Sequence, residues 1–353
     1  MGPGDTIRYG VIGCGVIGPV HADTVCRCGG AELVGVCDVE PDRARACAGS
    51  YGGRPYADYV EMLAAERPDA VSVCTPHHNH AEISIACLEA GCHVLCEKPL
   101  AISAEQMRSM VETGVRTRRV LGGIFQHRFD PVARAIKRAV DEGLFGQVLN
   151  AGASLRCHRD PGYYGSGRWR GTWSGEGGSV LINQALHSID LMQWMAGPVR
   201  RVQGRFGNLR LGGHIETEDT ASATLEFRDG GLGTVEATAS SHLDFAAEVH
   251  VYGTCGSVRL RTGGTAAIDF LQMANGEKTR RVESLLAEAA SATAPYPPPK
   301  HYYGDSHIRQ ISDFVASLRN GHPPFITGQD ACHAVEIVLA AYESSRTGAP
   351  VAL

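Results

Sequence analysis

The sequence predicts an α/β protein of two domains: a doubly wound parallel sheet of the dinucleotide-binding kind, then an α+β domain with a mostly antiparallel open sheet. Three observations lead there. Apolar strands alternate with helical segments up to residue 125. A Gly13-x-Gly15-x-x-Gly18 turn joins the first strand to the first helix. Beyond residue 126, short strands follow one another through glycine-bearing turns such as DGG and GTCGS, which favour antiparallel pairing. At 353 residues the chain exceeds one simple core, and the domains are placed at 1–125 and 126–353.

Ile7 to Ile12 is the first strand. Of the glycines after it, the first makes the tight turn, the second lets a pyrophosphate approach, and the third lets helix pack on strand. The helix N-terminus then offers amides to the phosphates. In a chain with 43 glycines the pattern alone is weak, and an ordinary α/β turn competes with it. The next strand, AELVGVCD, strengthens it by ending in Asp38. A carboxylate there binds ribose hydroxyls and repels a 2′-phosphate, favouring NAD over NADP. A helix at Tyr59 to Ala65 leads to the strand Ala70 to Cys74, which runs into Thr75-Pro76-His77-His78-Asn79-His80 and the helix AEISIACLEAG. The strand His93 to Cys96 runs into Glu97-Lys98-Pro99 and the helix SAEQMRSMVETGVR, and residues 120–125 form one more strand. Gly13, Asp38, Thr75 and Lys98 thus all fall at carboxyl ends of parallel strands, where such sheets bind ligands.

The second domain opens with a helix beginning near Pro131. Its strands read VLNAGASLRC, VRRVQGRFGNL, DTASATLEFRDG, LGTVEATASSH, AEVHVYGTCGSVRLRT and AAIDFLQM. Residues 286–300, rich in alanine and proline, read as a mobile loop, and DACHAVEIVLAAYESSR as the last helix. The stretch SVLINQALHSIDLMQW, residues 179–194, reads as a helix with Leu181, Ile182, Ala185, Leu186, Ile189 and Met192 on one face. Asn183, His187 and Asp190 form a row on the other, extended by Trp194. That row is either a solvated face or a proton-handling site, since histidine titrates near neutral pH. Before it, Tyr163, Tyr164, Trp169 and Trp173 offer flat platforms for a sugar ring, and Arg168 and Arg170 can bind phosphate, carboxylate or hydroxyls. The plainer alternative is that these aromatics pack the loop.

Composition removes several classes. A net charge of −5 argues against a nucleic-acid surface. No apolar run approaches the roughly 20 residues of a membrane span. A strand beginning at Ile7 leaves no room for a signal peptide, so a cytoplasmic protein is expected. Most of the twelve cysteines lie in apolar runs without paired C-x-x-C spacing, and read as buried thiols in a reducing compartment. His77, His78 and His80 lack the partners of a metal site, and no metal is expected. Lysine is scarce, with only Lys98, Lys137, Lys278 and Lys300, which together with abundant alanine and glycine points to a GC-rich, actinomycete-like background.

The chain resembles the glucose–fructose oxidoreductase/inositol dehydrogenase (Gfo/Idh/MocA) family. The residues carrying the resemblance are GVIGCGVIG, CTPHHNHAE, CEKPLA, GGSVLINQALHSIDL, HIRQISDFVASLRNG and AVEIVLAAYESSRTG, so it spans almost the whole chain. It implies an NAD-dependent oxidoreductase whose EKP lysine, Lys98, lies beside nicotinamide and substrate, and whose acid/base is His187. The implied cofactor set is Gly13, Gly15, Val16, Ile17, Asp38, Thr75, Pro76, His80, Glu97, Lys98 and Gln126. The implied substrate set is Arg128, Tyr163, Tyr164, Arg168, Trp169, Trp173, Asn183 and His307. Many members carry aspartate where this chain has Asn183. The N-Q-x-x-H version is similar to the branch acting on nucleotide-linked sugars, and Asn183 is expected to orient the histidine or the substrate. The resemblance also implies a homo-oligomer, dimer or tetramer, formed through the C-terminal sheet.

The resulting expectation is a sugar dehydrogenase that acts on a ring secondary hydroxyl, with C3 the candidate, of an amino, nucleotide-linked or aminoglycoside sugar, in an antibiotic-sugar setting. An inositol or free-sugar dehydrogenase is the alternative within the class, and a catalytically silent NAD-binding sensor the alternative outside it. Asp160, Glu176, Glu216, Glu218 and Asp219 favour an aminated sugar if they face the substrate. Arg168 and Arg170 favour a nucleotide-linked or uronate sugar if they do, and the negative overall charge, whose long-range field steers cations, tips the expectation to the amine.

Overall fold

The computed structural model describes residues 6–291 and 305–353. In chain order the elements are β1 (Ile7–Ile12), α1 (Gly18–Arg27), β2 (Ala31–Cys37), α2 (Pro41–Tyr51), β3 (Arg54–Tyr56), α3 (Tyr59–Glu66), β4 (Ala70–Val73), α4 (His80–Glu89), β5 (His93–Cys96), α5 (Ala104–Thr117) and β6 (Leu121–Gly123). There follow α6 (Pro131–Asp141), β7 (Val148–His158), α7 (Pro161–Gly165), a π-helical segment (Val180–Ala185) and α8 (Leu186–Ala196). After these come β8 (Val199–Gly207), β9 (Thr220–Phe227), β10 (Leu232–Thr238), β11 (Ser240–Gly253), β12 (Gly256–Arg261), β13 (Ala267–Met273), α9 (Gly276–Ser291), α10 (Asp305–Asn320), α11 (Gly328–Thr347) and β14 (Val351–Ala352).

The first unit is built on a six-stranded sheet of order β3-β2-β1-β4-β5-β6, parallel throughout. Strand order reverses at β1 and β4, so the crevice beyond their carboxyl ends is the binding position of such sheets. Gly13 follows β1 there and Thr75 follows β4. Buried on both faces, these strands read as continuous apolar runs instead of alternating ones.

The unit also contains α10, which corrects the expected division at 125/126. Its described residues run to Gln126 and then from 305 to Cys332, within α11. The cause lies on the helix. Ile311, Phe314 and Val315 join Ile7, Tyr9, Val11 and Leu95 in one core. The Gln310 amide accepts from Phe125 N at 3.0 Å and donates to Gly123 O at 2.8 Å, which satisfies the end of β6.

The second unit carries an eight-stranded sheet of order β13-β12-β11-β7-β10-β9-β8-β14. Only β7 and β10 pair in parallel. Strict alternation of buried and exposed positions in β9 and β10 marks one covered face. Helix α8 packs against β7 and β11, and α6 against α8 and α9. The loop expected at 286–300 is helical as far as Ser291, because Val282 and Leu285 are buried and Arg138 and Arg281 tie Glu288 and Glu142 to the α6 side. The remainder of that stretch lies outside the described residues.

Phe314→Ala removes a fully buried ring from the core shared by α10 and the parallel sheet. The variant is expected to unfold with about 3–5 kcal/mol less stability in urea titration. A loss below 1 kcal/mol would mean that α10 is peripheral to this unit.

Candidate active site

In the first unit the glycine turn is fixed by geometry. Gly13 has φ +96°, and a Cβ there would sit 2.5 Å from Cys74 O. A Cβ on Gly18 would lie 1.9 Å from Gly13 O, so helix and strand can meet only at glycine. Above Gly15 no described atom lies within 4 Å of a built Cβ, and Val16 is 72% exposed with Ile17 half-buried behind it. Helix α1 has no side-chain cap and no acidic residue in its first turn, so the positive end of its dipole faces the glycine turn uncompensated, although Pro19 has no N–H and Val20 N and His21 N turn back to Ile17 O. Asp38 takes Cys14 N at 2.7 Å and Glu40 N at 2.9 Å, one on each carboxylate oxygen. Each oxygen keeps acceptor capacity for a ribose hydroxyl. These features fit an NAD.

At the end of β5, Lys98 is half-buried and Thr75 and Pro76 line the neighbouring turn. His80 is fully buried, with ring nitrogens 2.7 Å from Pro99 O and 2.8 Å from Thr75 O. It ties the two strand-end turns together and is not a surface ligand. Gln126 is buried at the end of the unit.

Two expectations change here. Glu97 turns inward, 6% exposed, and His307 is 2% exposed with Nε2 3.4 Å from Glu97 Oε1. His21 Nε2 reaches the same oxygen at 3.1 Å. Burial alone would raise the Glu97 carboxyl, but hydrogen bonds from His21 and His307 outweigh it and hold the group well below its ordinary value. Glu97 is therefore not a direct cofactor ligand, and His307, expected at the substrate, lies beneath the EKP turn. His21, three residues beyond the third glycine, was missed by sequence reasoning. A lone histidine after a glycine turn gives no sign of its partner 76 residues away. Among the described residues this trio is the His/carboxylate group whose ligand atoms lie within 4.8 Å of one another.

In the second unit the expected straight helix is a π segment running into α8. Glu218, fully buried, accepts Ser179 N and Leu181 N at 3.0 Å and the Tyr342 hydroxyl at 2.7 Å. It thereby takes the place of a cap. Burial pushes its pKa up to about 7. Gly178, at φ +146°, has no room for a Cβ, which would meet Tyr342 Oη at 2.1 Å. A π turn shifts the register and is frequent at functional sites.

His187, in the first turn of α8, is half-buried and meets His127 edge-on at 5.1 Å. Asp190 leaves the predicted polar row. It is buried and forms a bidentate pair with Arg128, Nε–Oδ2 2.8 Å and Nη2–Oδ1 2.6 Å. Arg128, expected at the substrate, is thus a structural ion-pair partner, with Trp194 5.6 Å from its guanidinium. The row breaks at Asp190, which is as buried as Leu186, Ile189 and Met192, while His187 and Trp194 stay half-buried.

Asn183 Nδ2 donates to the fully buried Glu176 at 2.5 Å. Tyr163 Oη accepts from Gln184 Nε2 at 2.8 Å and Arg170 Nη1 at 2.7 Å. The Arg159 and Arg170 guanidinia lie 4.9 and 4.6 Å from the Tyr163 ring. Arg159, Gln184 and Glu176 were not assigned this role from the sequence. The other platforms divide. Tyr164 is buried on Ser179 Oγ, and Trp173 packs on Phe206 and Tyr342 under Arg346, so both serve the loop. Trp169 is half-buried beside Arg170, and Arg168 is exposed.

Comparison with known proteins agrees with both halves. An oxidoreductase family with an NAD-binding Rossmann fold matches residues 7–123, and the Gfo/Idh/MocA C-terminal domain matches residues 133–259. The chain belongs to the Gfo/Idh/MocA oxidoreductase family. It is 30% identical to the D-glucoside 3-dehydrogenase of Escherichia coli K12, over 98% of this chain and 97% of that protein. It is 26% identical to the myo-inositol 2-dehydrogenase of Thermotoga maritima, over 96% of each. The crystal structure of the WlbA dehydrogenase from Bordetella pertussis in complex with NADH and UDP-GlcNAcA superposes with a TM-score of 0.89 at 29% identity, covering 99% of this chain and 98% of that one. Among the described residues no helix is long and apolar enough to cross a membrane.

If Arg128 and Asp190 form a structural pair, Arg128→Leu or Asp190→Leu alone should cost about 3–5 kcal/mol in urea unfolding, by stranding a buried charge. The double variant should recover most of that loss. Single variants of unchanged stability would return Arg128 to the substrate set.

Proposed function

We propose that this protein is an NAD-dependent sugar dehydrogenase that oxidises a ring secondary alcohol, at C3, of an anionic sugar such as a nucleotide-linked uronate. The observation carrying the dehydrogenase reading is that both reactive positions are filled: Lys98 at the carboxyl end of a central parallel strand and His187 at the start of α8. Their presence argues against a silent sensor.

When bound, NAD accepts the hydride from the carbinol carbon. Neutral His187 takes the hydroxyl proton at a ring nitrogen. The Lys98 ammonium donates a hydrogen bond to the same oxygen as negative charge develops on it. Asn183, held through Nδ2 by Glu176, orients the substrate beside His187. Asp38 accepts from the ribose hydroxyls and excludes a 2′-phosphate.

The charge of the substrate follows from what the ionic side chains are already doing. Glu176, Glu216, Glu218, Asp219 and Asp160 all accept main-chain amides. Each of these carboxylates thus has a structural task, and the aminated or aminoglycoside reading loses the observation that singled it out. Arg159 and Arg170 flank Tyr163 beside Asn183, hydrogen-bonded to Gln184 and to the Tyr163 hydroxyl, and a guanidinium pair selects carboxylate or phosphate. The D-glucoside 3-dehydrogenase relative supports C3, and the UDP-GlcNAcA complex of the WlbA neighbour supports the anionic class. The inositol dehydrogenases among the relatives keep a neutral polyol as the second reading.

Lys98→Ala and His187→Ala should each lower turnover of UDP-GlcNAcA or a D-glucoside by roughly a hundredfold or more while NADH still binds. Their losses should not multiply, because both act on one proton transfer. A His187→Ala enzyme of normal turnover would end this reading. For the cofactor, fluorescence titration should show tighter binding of NADH than NADPH, with Asp38→Ser narrowing the gap. Stronger NADPH binding by the unmodified protein would refute that assignment.

A further inference from the structure

Beneath Lys98 lies a run of buried polar groups that the chemistry above does not use. Glu97 Oε2 accepts the Lys98 main-chain N–H at 3.0 Å. Its Oε1 faces His21 Nε2 at 3.1 Å and His307 Nε2 at 3.4 Å. His21 Nδ1 is 2.8 Å from Ser72 Oγ, which is 2.9 Å from Tyr9 Oη. Tyr9, His21 and Ser72 are fully buried. The groups come from β1, α1, β4, the end of β5 and α10.

The direction of each bond follows from the chemistry of the groups. An ionised carboxylate only accepts, so both histidine Nε2 atoms carry hydrogen. Burial lowers the pKa of His21, whose ring is neutral, so its Nδ1 accepts from the Ser72 hydroxyl. Ser72 in turn accepts from Tyr9. Every donor in the run points toward Glu97. Burial by itself would drive a lone carboxyl here to its neutral form, and the two imidazole donors prevent that. The other titratable groups facing Glu97 are the Cys74 and Cys96 thiols, whose pKa values burial raises, and His80, which also feels Lys98.

We propose that His21 and His307 are positioning residues, which keep Glu97 ionised and fixed so that it holds the Lys98 main chain in place and its side chain as ammonium. This rests on Lys98 acting at the substrate oxygen, as argued above. Neither histidine touches substrate in this account. They act through one buried negative charge, to which α10 contributes His307 from more than 200 residues beyond the EKP turn.

The small number of lysines makes the test direct. Competitive acetic anhydride labelling of the NADH-bound protein across pH, read by mass spectrometry, reports the titration of Lys98, with Lys137 and Lys278 as internal references. In Glu97→Gln and His307→Leu the Lys98 profile should move to lower pH by about one unit or more, with the references unmoved. His307→Gln, which keeps a donor, should stay near the unmodified protein. Turnover at neutral pH should fall about tenfold to a hundredfold in Glu97→Gln and His307→Leu and be largely rescued in His307→Gln. If Glu97→Gln does not fold, the His307 pair carries the test alone. An unmoved Lys98 profile, or equal profiles in His307→Leu and His307→Gln, would overturn the proposal. Normal turnover in Lys98→Ala would instead remove the catalytic reading of Lys98, and the labelling result separates the two failures.

Discussion

A buried loop must find acceptors for its main-chain amides, and in this protein buried carboxylates supply them. Asp38 holds the glycine turn through Cys14 N, and Glu97 holds Lys98 N. Glu176 takes Gly171 N, Glu218 takes Ser179 N and Leu181 N, and Asp219 takes the three amides of 209–211. Asp130 caps α6 and also takes Ala266 N. Against burial, three amides hold Asp219 below its ordinary value, whereas burial still pushes Glu218 up to about 7. Glu97 holds the EKP turn, and Glu176 and Glu218 hold the loop that leads into the π segment. They are the supports on which the candidate site stands.

That constraint also decides the electrostatics. A chain of net charge −5 invites a cationic substrate, yet Glu176 and Glu218 of the second unit each hold main-chain amides. What remains beside Asn183 and Tyr163 is guanidinium. Net charge describes the long-range field, whereas the local selection belongs to groups whose hydrogen-bonding capacity is still open.

The parts of the fold that follow from periodicity were readable from sequence. β1, β2, β4, β5 and α5 lie within a residue or two of their expected ranges, because apolar runs between glycine and proline punctuation leave little choice. So was the placing of Gly13, Asp38 and Lys98 just beyond the carboxyl ends of β1, β2 and β5, because apolar runs that stop at glycine, aspartate or proline mark those ends. What was not readable depends on pairing over long distances. Nothing near Arg128 announces Asp190, 62 residues on, and nothing near Glu97 announces His307. The π segment was hidden because its cause, Glu218, lies outside it. Trp173 and Tyr164 looked like sugar platforms because an aromatic that packs a loop and one that stacks on a ring have the same sequence signature.

The central claim of the proposal is that Lys98 and His187, 89 residues apart in sequence, both act on the hydroxyl that is oxidised. A crystal structure with NADH and UDP-GlcNAcA or a D-glucoside bound measures this directly. The account predicts Lys98 Nζ and a His187 ring nitrogen each about 3 Å from the same hydroxyl oxygen, with Arg159 or Arg170 at the anionic group. A bound sugar whose reacting oxygen meets Lys98 while His187 points elsewhere would contradict it.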